Sequence, residues 1–171
     1  MSRERAYEIC LEMIIQREYS IIDKDSENMT ITALKPNGEQ MLVLFNSVPT
    51  FGASSLKETI NSMYDMSIKH CLVVYDEKVT SNAKNTIVQL QDIYIELFSI
   101  EELQYNITKH RLQPKFEKLN ENEAKEFKEK YGTKFGTLRI DKPISRFYDY
   151  QRGDVICITR GYNVSYRIVR G

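Results

Sequence analysis

The sequence predicts a mixed α+β protein in two parts: an N-terminal α/β layer (residues 1–105) and a small C-terminal α+β module (residues 106–171). Helix, hairpin, helix, strand, helix and strand patterns follow one another in the first part, which is typical of an α/β layer. The charge balance then reverses. Residues 1–109 carry 10 Lys and Arg against 16 Asp and Glu, whereas residues 110–171 carry 14 against 8. Opposite charges indicate two modules with different neighbours.

The first elements are predicted by hydrophobic periodicity and turn chemistry. Apolar residues at helical spacing predict an amphipathic helix over residues 3–17. Apolar and polar residues alternate over 29–33, and the apolar run 41–45 follows the turn Pro36-Asn37-Gly38. Because Asn-Gly between two strand-like runs favours a tight turn, this segment is predicted to be a β-hairpin.

Capping-box spacing predicts two further helix starts in the first part. Ser55 is followed by Glu58, and Ser99 is followed by Glu102, so that each pair can exchange hydrogen bonds across a first helical turn. The elements predicted between these two starts are a buried strand over 70–75, a helix over 82–91 and a strand over 93–98.

The second part has its own set of local signals. Asn120 and Glu123 predict a capped helix whose inner face carries Ala124, Phe127 and Tyr131, and Gly132 is placed to end it. The remaining elements predicted here are a strand over 138–140, a helical turn beginning at Pro143, and a hairpin of strands 155–158 and 164–169 joined through 161–163.

Composition indicates an ordinary folded protein of the cell interior. No apolar run approaches the roughly 20 residues that span a bilayer, and the charged N-terminus lacks an apolar signal-peptide core. Cys10, Cys71 and Cys157 are odd in number and widely separated, so they are predicted to be buried free thiols rather than a disulfide framework or metal knuckle.

Signatures of catalysis are few. No nucleophile-elbow, zinc-protease, phosphate-loop or dinucleotide glycine pattern occurs, and His70, at the start of an apolar strand, is predicted to be structural. Asp76 and Lys78 follow that strand, with Asp65 upstream. Two acids and a lysine are what many nucleases use to hold Mg²⁺ and orient water, so a Mg²⁺-dependent nuclease is one alternative function.

A free-standing DNA-binding protein is the other alternative, because arginine and lysine neutralise phosphates and aromatic rings stack on bases. Arginine also pairs with carboxylates at protein interfaces, so residue chemistry alone leaves DNA and acidic protein partners equally open. The C-terminal residues in question are Arg139, Lys142, Arg146, Arg152, Arg160, Arg167 and Arg170, interspersed with Phe147, Tyr148, Tyr150, Tyr162 and Tyr166.

Four strings in the second part carry a family resemblance: His110-Arg111-Leu112-Gln113-Pro114, Pro143 to Tyr148, Arg152 to Arg160, and Tyr166-Arg167-Ile168-Val169. Together they resemble the fifth-largest-subunit family of eukaryotic DNA-directed RNA polymerases, whose archaeal counterpart is similar to this module alone. The stretches Val74 to Lys84 and Tyr105 to Thr108 resemble the family's N-terminal jaw domain, which is related in fold to restriction-type nucleases.

The resemblance implies a non-catalytic polymerase subunit with no cofactor, no catalytic residue and no metal ligand. Residues 1–105 would be the jaw-type domain, near downstream double-stranded DNA, and residues 106–171 the assembly domain, docked on the largest subunit beside other subunits. Location would be the nucleus for a cellular protein, and the host cytoplasm or virion for a viral one. The DNA-proximal residues implied are Thr80, Ser81, Asn82, Ala83 and Lys84, of which Lys84 would contact a phosphate.

The implied subunit-interface residues come from the four strings. They are His110, Leu112, Pro114, Pro143, Arg146, Phe147, Tyr148, Arg152, Gly153, Asp154, Arg160, Tyr166 and Arg167.

The chain departs from the family pattern at three places. Leu138-Arg139-Ile140 lacks the usual proline, Lys142 stands where an aspartate usually precedes the next proline, and Gly161-Tyr162-Asn163 replaces a longer hairpin loop. These changes affect the detailed contacts at 138–142 and 161–163. The compact length also resembles the versions carried by large DNA viruses.

Overall fold

The computed structural model describes all 171 residues, Met1–Gly171, and divides into two compact units, Met1–Tyr105 and Asn106–Gly171. The mixed α+β class predicted from the sequence is confirmed. None of the helices has the length and apolar content needed to cross a bilayer.

The first unit combines helices and strands in the alternation expected of an α/β layer. Its elements are α1 (Arg3–Gln16), β1 (Ser20–Asp25), β2 (Thr30–Leu34), β3 (Gln40–Phe45), β4 (Thr50–Phe51), α2 (Ala53–Asp65), β5 (His70–Tyr75), β6 (Lys78–Val79), α3 (Ser81–Gln89) and β7 (Tyr94–Ser99).

Five of these strands form one sheet in the order β1-β2-β3-β5-β7. β1, β2 and β3 pair antiparallel, whereas β3, β5 and β7 pair parallel through α2 and α3. α1 packs on one face, where the rings of Tyr7 and Phe45 lie 6.0 Å apart. On the other face, Leu56 of α2 and Ala83 of α3 join Leu42 in one buried cluster. Helices on both faces explain why β5 is a continuous apolar run.

The second unit is smaller and has one mixed sheet, in the order β8-β10-β11-β9, of which only β9 and β11 pair parallel. Tyr150, Ile156 and Val169 form its buried cluster. Its elements are a 3-10 turn (Ile107–Lys109), β8 (Lys115–Lys118), α4 (Glu121–Tyr131), β9 (Thr137–Arg139), α5 (Pro143–Phe147), β10 (Val155–Arg160) and β11 (Asn163–Arg170).

The local signals of the second unit are largely confirmed. Asn120 and Glu123 form the predicted capping box, Gly132 ends α4 with a φ of 72°, and Pro143 opens α5. The inner face of α4 is less buried than predicted. No residue of α4 is fully buried, and Tyr131 is 59% exposed.

Two predictions of a helix start are wrong. α2 begins at Ala53 with Gly52 as its N-cap residue, so Ser55 lies inside the helix. The Ser99 N–H donates to Glu102 Oε2 at 2.8 Å and the Glu102 N–H donates to Ser99 Oγ at 3.2 Å, but turns follow instead of a helix. These two hydrogen bonds stabilise only a single turn. The free energy that one turn contributes does not offset the cost of helix nucleation.

Four strands are absent from the sequence prediction. β4 and β6 have two residues each and carry too little pattern to recognise. β1 and β8 are edge strands rich in exposed charged residues, as expected where a sheet must avoid pairing with other chains. Their polarity hides the period-2 alternation that predicts a strand.

The cysteines follow the prediction with one exception. All three are free, but only Cys10 and Cys71 are buried, whereas Cys157 is half-buried. Burial raises the pKa of Cys10 to about 12, so this thiol stays protonated and unreactive.

Candidate nucleic-acid and subunit interfaces

The predicted DNA-proximal residues lie at the amino end of α3. Thr80 is the N-cap residue, and its Oγ1 accepts a hydrogen bond from the Ala83 N–H at 3.2 Å. The Thr80 N–H in turn donates to the carbonyl oxygen of Phe51 at 3.0 Å. Because β4 and β6 pair immediately before α2 and α3, they fix the position of this helix end.

These five residues differ in accessibility. Ser81, Asn82 and Lys84 are exposed and Thr80 is half-buried. Ala83 is fully buried in the core cluster, so its side chain cannot contact a ligand. What this helix end offers is the uncapped N–H groups of Ser81 and Asn82 and the ammonium group of Lys84.

The electrostatics of this helix end suit an anion. The first turn of α3 contains no acidic residue, whereas the first turn of α4 contains Glu121 and Glu123. A helix amino end carries a partial positive charge, which acidic side chains in the first turn neutralise. The amino end of α3 therefore keeps its partial positive charge, and its N–H groups can donate hydrogen bonds to a phosphate oxygen.

The predicted subunit-interface residues span a wide range of exposure. Phe147 is buried, with 3% of its surface exposed, and so is not available to a partner at the surface. The exposed members are His110, Leu112, Pro143, Arg152 and Arg160. The half-buried members are Pro114, Arg146, Tyr148, Gly153, Asp154, Tyr166 and Arg167.

Asp154 and Gly153 shape the turn that leads into β10. Asp154 Oδ2 accepts from the Gln151 N–H at 2.8 Å and lies 3.2 Å from Lys118 Nζ. Gly153 adopts a φ of 89°, which favours glycine. Arg152, which precedes them, extends its side chain beside a groove of about 590 Å³ along α4. Asp154 is thus used within the chain, and Arg152 is the member of this turn that can reach a partner.

Tyr166 belongs to an aromatic cluster on the α4 side of the sheet. Its ring centroid lies 4.5 Å from that of Phe127, which also contacts Tyr131 at 4.8 Å and Phe135 at 5.1 Å. These contacts attach α4 to β11, so the first role of Tyr166 is to pack its own unit.

The residues considered for a nuclease site do not come together. Asp76 Oδ2 lies 2.7 Å from Arg3 Nη1, so an arginine already neutralises this carboxylate. Asp65 ends α2 and precedes β5, whereas Asp76 follows the carboxyl end of β5. A strand of six residues separates its two ends by roughly 17–20 Å. The two acids therefore do not share a metal ion.

Comparison with known proteins identifies the family. The family model of the C-terminal domain of RNA polymerase Rpb5 matches residues 105–169. A DNA-directed RNA polymerase subunit of Invertebrate iridescent virus 6 is 36% identical over 191 aligned positions, which cover 97% of this chain and 98% of the relative. The chain belongs to the RNA polymerase Rpb5 family. The resemblance seen in the sequence is thereby confirmed.

Cellular members of the Rpb5 family match as well. The subunit rpabc1 of RNA polymerases I, II and III from Dictyostelium discoideum is 28% identical, over 92% of each chain. The Caenorhabditis elegans subunit RPABC1 is 30% identical over 77% of this chain and 66% of its own length. Eukaryotic and viral proteins are thus both among the relatives of this Rpb5-family chain.

The matched ranges bear differently on the two candidate interfaces. Every predicted subunit-interface residue lies within residues 105–169, the segment matched by the Rpb5 C-terminal model. The DNA-proximal residues lie outside that segment and inside the region shared with the viral relative. A solved protein of unknown function aligns with a TM-score of 0.42 and 11% identity over 75% of this chain and 78% of that chain, a likeness too weak to carry a functional argument.

A buried ionic network in the first unit was not predicted from the sequence. The Arg17 guanidinium donates two hydrogen bonds to Glu96, at 2.8 and 2.9 Å, and His70 Nε2 lies 2.7 Å from the same carboxylate. Tyr19 and Glu39 continue the network, since both lie 3.3 Å from His70 Nδ1. His70 is therefore a hydrogen-bonded structural histidine, as predicted.

The network lowers the pKa of its central acid. Burial would raise the pKa of Glu96, but the charge of Arg17 and the hydrogen bond from His70 outweigh burial and lower the pKa to about 2. Glu96 is thus an anion whose charge is fully used inside the protein. Only long-range contacts reveal this role, because Arg17 and Glu96 are 79 residues apart.

Proposed function

We propose that this chain is a non-catalytic structural subunit of a DNA-directed RNA polymerase. In this proposal the second unit docks on the largest subunit, beside other subunits, and the first unit lies near downstream DNA. The observation that carries the proposal is the end-to-end similarity to a viral polymerase subunit. The location would be the nucleus for a cellular polymerase, and the host cytoplasm or virion for a viral one.

The surface chemistry of the second unit supports docking to protein. Arg152 and Arg160 are exposed and form no ion pair within the chain, and Leu112 exposes 71% of its surface. Arginine is enriched at protein interfaces because its planar fork binds carboxylates, and an exposed leucine gains free energy when a partner covers it.

The amino end of α3 supports a weak contact with DNA. It offers one ammonium group and two backbone N–H groups, while residues 1–109 carry an excess of acidic residues. Affinity for DNA depends on the number of phosphates neutralised, so one or two contacts give little binding in isolation. The contact would form where other subunits hold the DNA in place.

The pairing of Asp76 with Arg3 argues against the nuclease alternative. Incubation of the purified chain with DNA and Mg²⁺ is expected to give no cleavage. Cleavage that Asp76→Ala abolishes would favour an enzyme instead.

Affinity purification of the full chain tests the docking proposal. The tagged protein would be expressed where its own polymerase is made, and the proteins that co-purify would be identified. The largest subunit is expected among them in stoichiometric amount. Recovery of the chain alone, together with steeply salt-dependent, sub-micromolar binding to DNA, would favour a free-standing DNA-binding protein.

Site-specific crosslinking tests the DNA contact. A photoreactive residue replacing Ser81 in the assembled polymerase is expected to crosslink to downstream duplex DNA. The control has the same photoreactive residue in place of Lys24. Lys24 is exposed and lies in β1, the edge strand at the opposite end of the sheet from β7. Equal crosslinking at the two positions would contradict the proposed orientation.

A further inference from the structure

Arg167 is a half-buried cation that the chain itself leaves unpaired. It lies in β11 opposite Ile156 of β10, and both residues face the side of the sheet that carries the small core. Its one hydrogen bond within the chain joins Nη1 to the carbonyl oxygen of the adjacent Tyr166 at 3.4 Å, and it forms no ion pair. Because a guanidinium carries several N–H donors, most of the hydrogen-bonding capacity of Arg167 is unused.

Gly136 provides the space in which this guanidinium lies. A Cβ atom at position 136 would lie 2.6 Å from Cζ and 2.8 Å from Cδ of Arg167. Gly136 does not have a positive φ, so its backbone would accept other residues. Its carbonyl oxygen accepts a hydrogen bond from the Ile168 N–H at 2.9 Å, which holds the glycine beside β11. The three atoms nearest to that position all belong to the arginine side chain, which therefore excludes a larger residue here.

Two other arginines of the same unit donate hydrogen bonds to acceptors beyond their adjacent residues. Arg139 donates to both carboxylate oxygens of Asp141, at 2.9 and 2.6 Å. Arg170 donates to the carbonyl oxygen of Thr133 at 3.0 Å. Arg167 differs because it lacks an acidic partner although it is half-buried against Gly136, whereas Arg170 is exposed. A positioned guanidinium with free donors is an arrangement that recognises an external anion.

We infer that Arg167, seated against Gly136, binds a carboxylate of the polymerase subunit on which the second unit docks. The inference rests on the proposed function and adds the chemistry of the partner. The planar fork of arginine matches the two oxygens of a carboxylate. Two features favour a protein acid over a DNA phosphate. Arg167 is half-buried, and its neighbour Ile156 is fully buried, whereas a phosphate backbone is bound by rows of exposed cations.

The test measures binding of the full chain to the largest subunit of the polymerase encoded by the same genome. Arg167→Gln is expected to weaken binding roughly tenfold to a hundredfold, as loss of a charged hydrogen bond does. Arg167→Lys keeps the charge but loses the fork, so its effect should be intermediate. Arg139→Gln is the matched control, since Asp141 already occupies that guanidinium, and its binding should stay within about threefold of the unmodified chain.

Gly136→Ala tests the positioning role separately. The new methyl group would displace the flexible side chain of Arg167 without removing its charge. Binding should fall nearly as much as in Arg167→Gln, while the melting temperature stays close to that of the unmodified chain. In the Arg167→Gln background the glycine substitution should have no further effect, because the two residues act as one unit. A glycine needed only for folding would weaken binding equally in both backgrounds.

Three outcomes would overturn the inference, and each is distinct. If the unmodified chain does not bind the largest subunit, the proposed function fails and the inference fails with it. If the unmodified chain binds, and Arg167→Gln and Gly136→Ala each bind as tightly as the unmodified chain, the docking proposal is retained and the proposed carboxylate site is wrong. If Arg167→Gln leaves subunit binding intact but weakens retention of duplex DNA by the assembled polymerase, the anion is a phosphate.

Discussion

The two units of this chain use their charged residues differently. In the acidic first unit, cations that approach the core are paired within the chain, Arg3 with Asp76 and Arg17 with Glu96. In the basic second unit, Arg152, Arg160 and Arg167 have no acidic partner in the chain. Charge in the first unit therefore stabilises its own fold, whereas much of the charge in the second unit remains available to a partner.

The two units also differ in the size of their hydrophobic cores. The first unit buries 27 hydrophobic residues on both faces of its five-stranded sheet, whereas the second unit buries seven: Ile144, Phe147, Tyr150, Val155, Ile156, Ile168 and Val169. A domain of about 60 residues buries only about 60% of the surface of its unfolded chain and is marginal alone. The contrast indicates that a bound partner would add more to the stability of the second unit than to that of the first.

The largest expected effect is on the buried pair of the first unit. Glu96→Ala leaves Arg17 buried without its partner, so we expect a loss of about 3–5 kcal/mol in the free energy of unfolding. Urea denaturation measures the loss, and hydrogen exchange should place it in the first unit. Glu8→Ala is the control: this side chain pairs with Arg5 on the surface and is 62% exposed, so its loss should be about 1 kcal/mol or less. Equal effects would show that the buried pair contributes no more than a surface one.

Low pH should also lower the free energy of unfolding of the first unit, by somewhat less than Glu96→Ala does. The pKa of Glu96 is about 2 in the folded protein and near 4.3 when the chain is unfolded. Its contribution is therefore complete above about pH 4.5 and disappears as the pH falls through about 2. The full difference is roughly 3 kcal/mol. Urea unfolding of the unmodified chain should show this pH dependence, and Glu96→Gln should lack it. Identical pH profiles would contradict the assignment.

A smaller effect is expected in the second unit, at the amino end of α4. Asn120 Oδ1 accepts a hydrogen bond from the Glu123 N–H at 2.9 Å. Asn120→Ala should lower the free energy of unfolding by about 1 kcal/mol, and hydrogen exchange should increase in α4. Ser55→Ala provides the comparison, because Ser55 has capping-box spacing but lies inside α2. A destabilisation at Ser55 equal to that at Asn120 would mean that the spacing matters more than the position.

The smallest effect is expected at the exposed pair of the second unit. Arg139 and Asp141 form a bidentate ion pair on the surface, with both side chains more than half exposed. Water and salt screen such a pair, so Arg139→Gln should leave the melting temperature essentially unchanged. A large drop would show that the second unit, like the first, depends on ion pairs for its stability.

The elements that depend on neighbouring residues could be predicted from the sequence. The capping box at Asn120 and the end of α4 at Gly132 depend only on residues that are close in sequence, so the local sequence pattern is enough to predict them. β1 and β8 were not predicted because they form by pairing with other strands at a sheet edge and not because of their own sequence pattern. The pairing of Arg17 with Glu96 was not predicted either, because the two residues are 79 residues apart.

The candidate sites depended on the family resemblance more than on residue chemistry. That resemblance indicated the amino end of α3 and the strings of the second part. It could not separate accessible residues from buried ones, so Ala83 and Phe147 were included although the fold buries both. The role of Gly136 was also missed, because its need for space arises only when β9 and β11 pair.

The parallel pairing of β3, β5 and β7 has a consequence for how the chain folds. Each parallel pair requires a helical crossover, and Arg17 meets Glu96 only after a loop of 79 residues has closed. The β10–β11 hairpin, by contrast, closes locally between Arg160 and Asn163. Long-range closure costs entropy before any contact is gained. The first unit has two such parallel pairs and the second unit has one, between β9 and β11, so we expect the first unit to be the slower to fold. In that interval the apolar strand β5 is exposed, and aggregation of newly made chains would begin there.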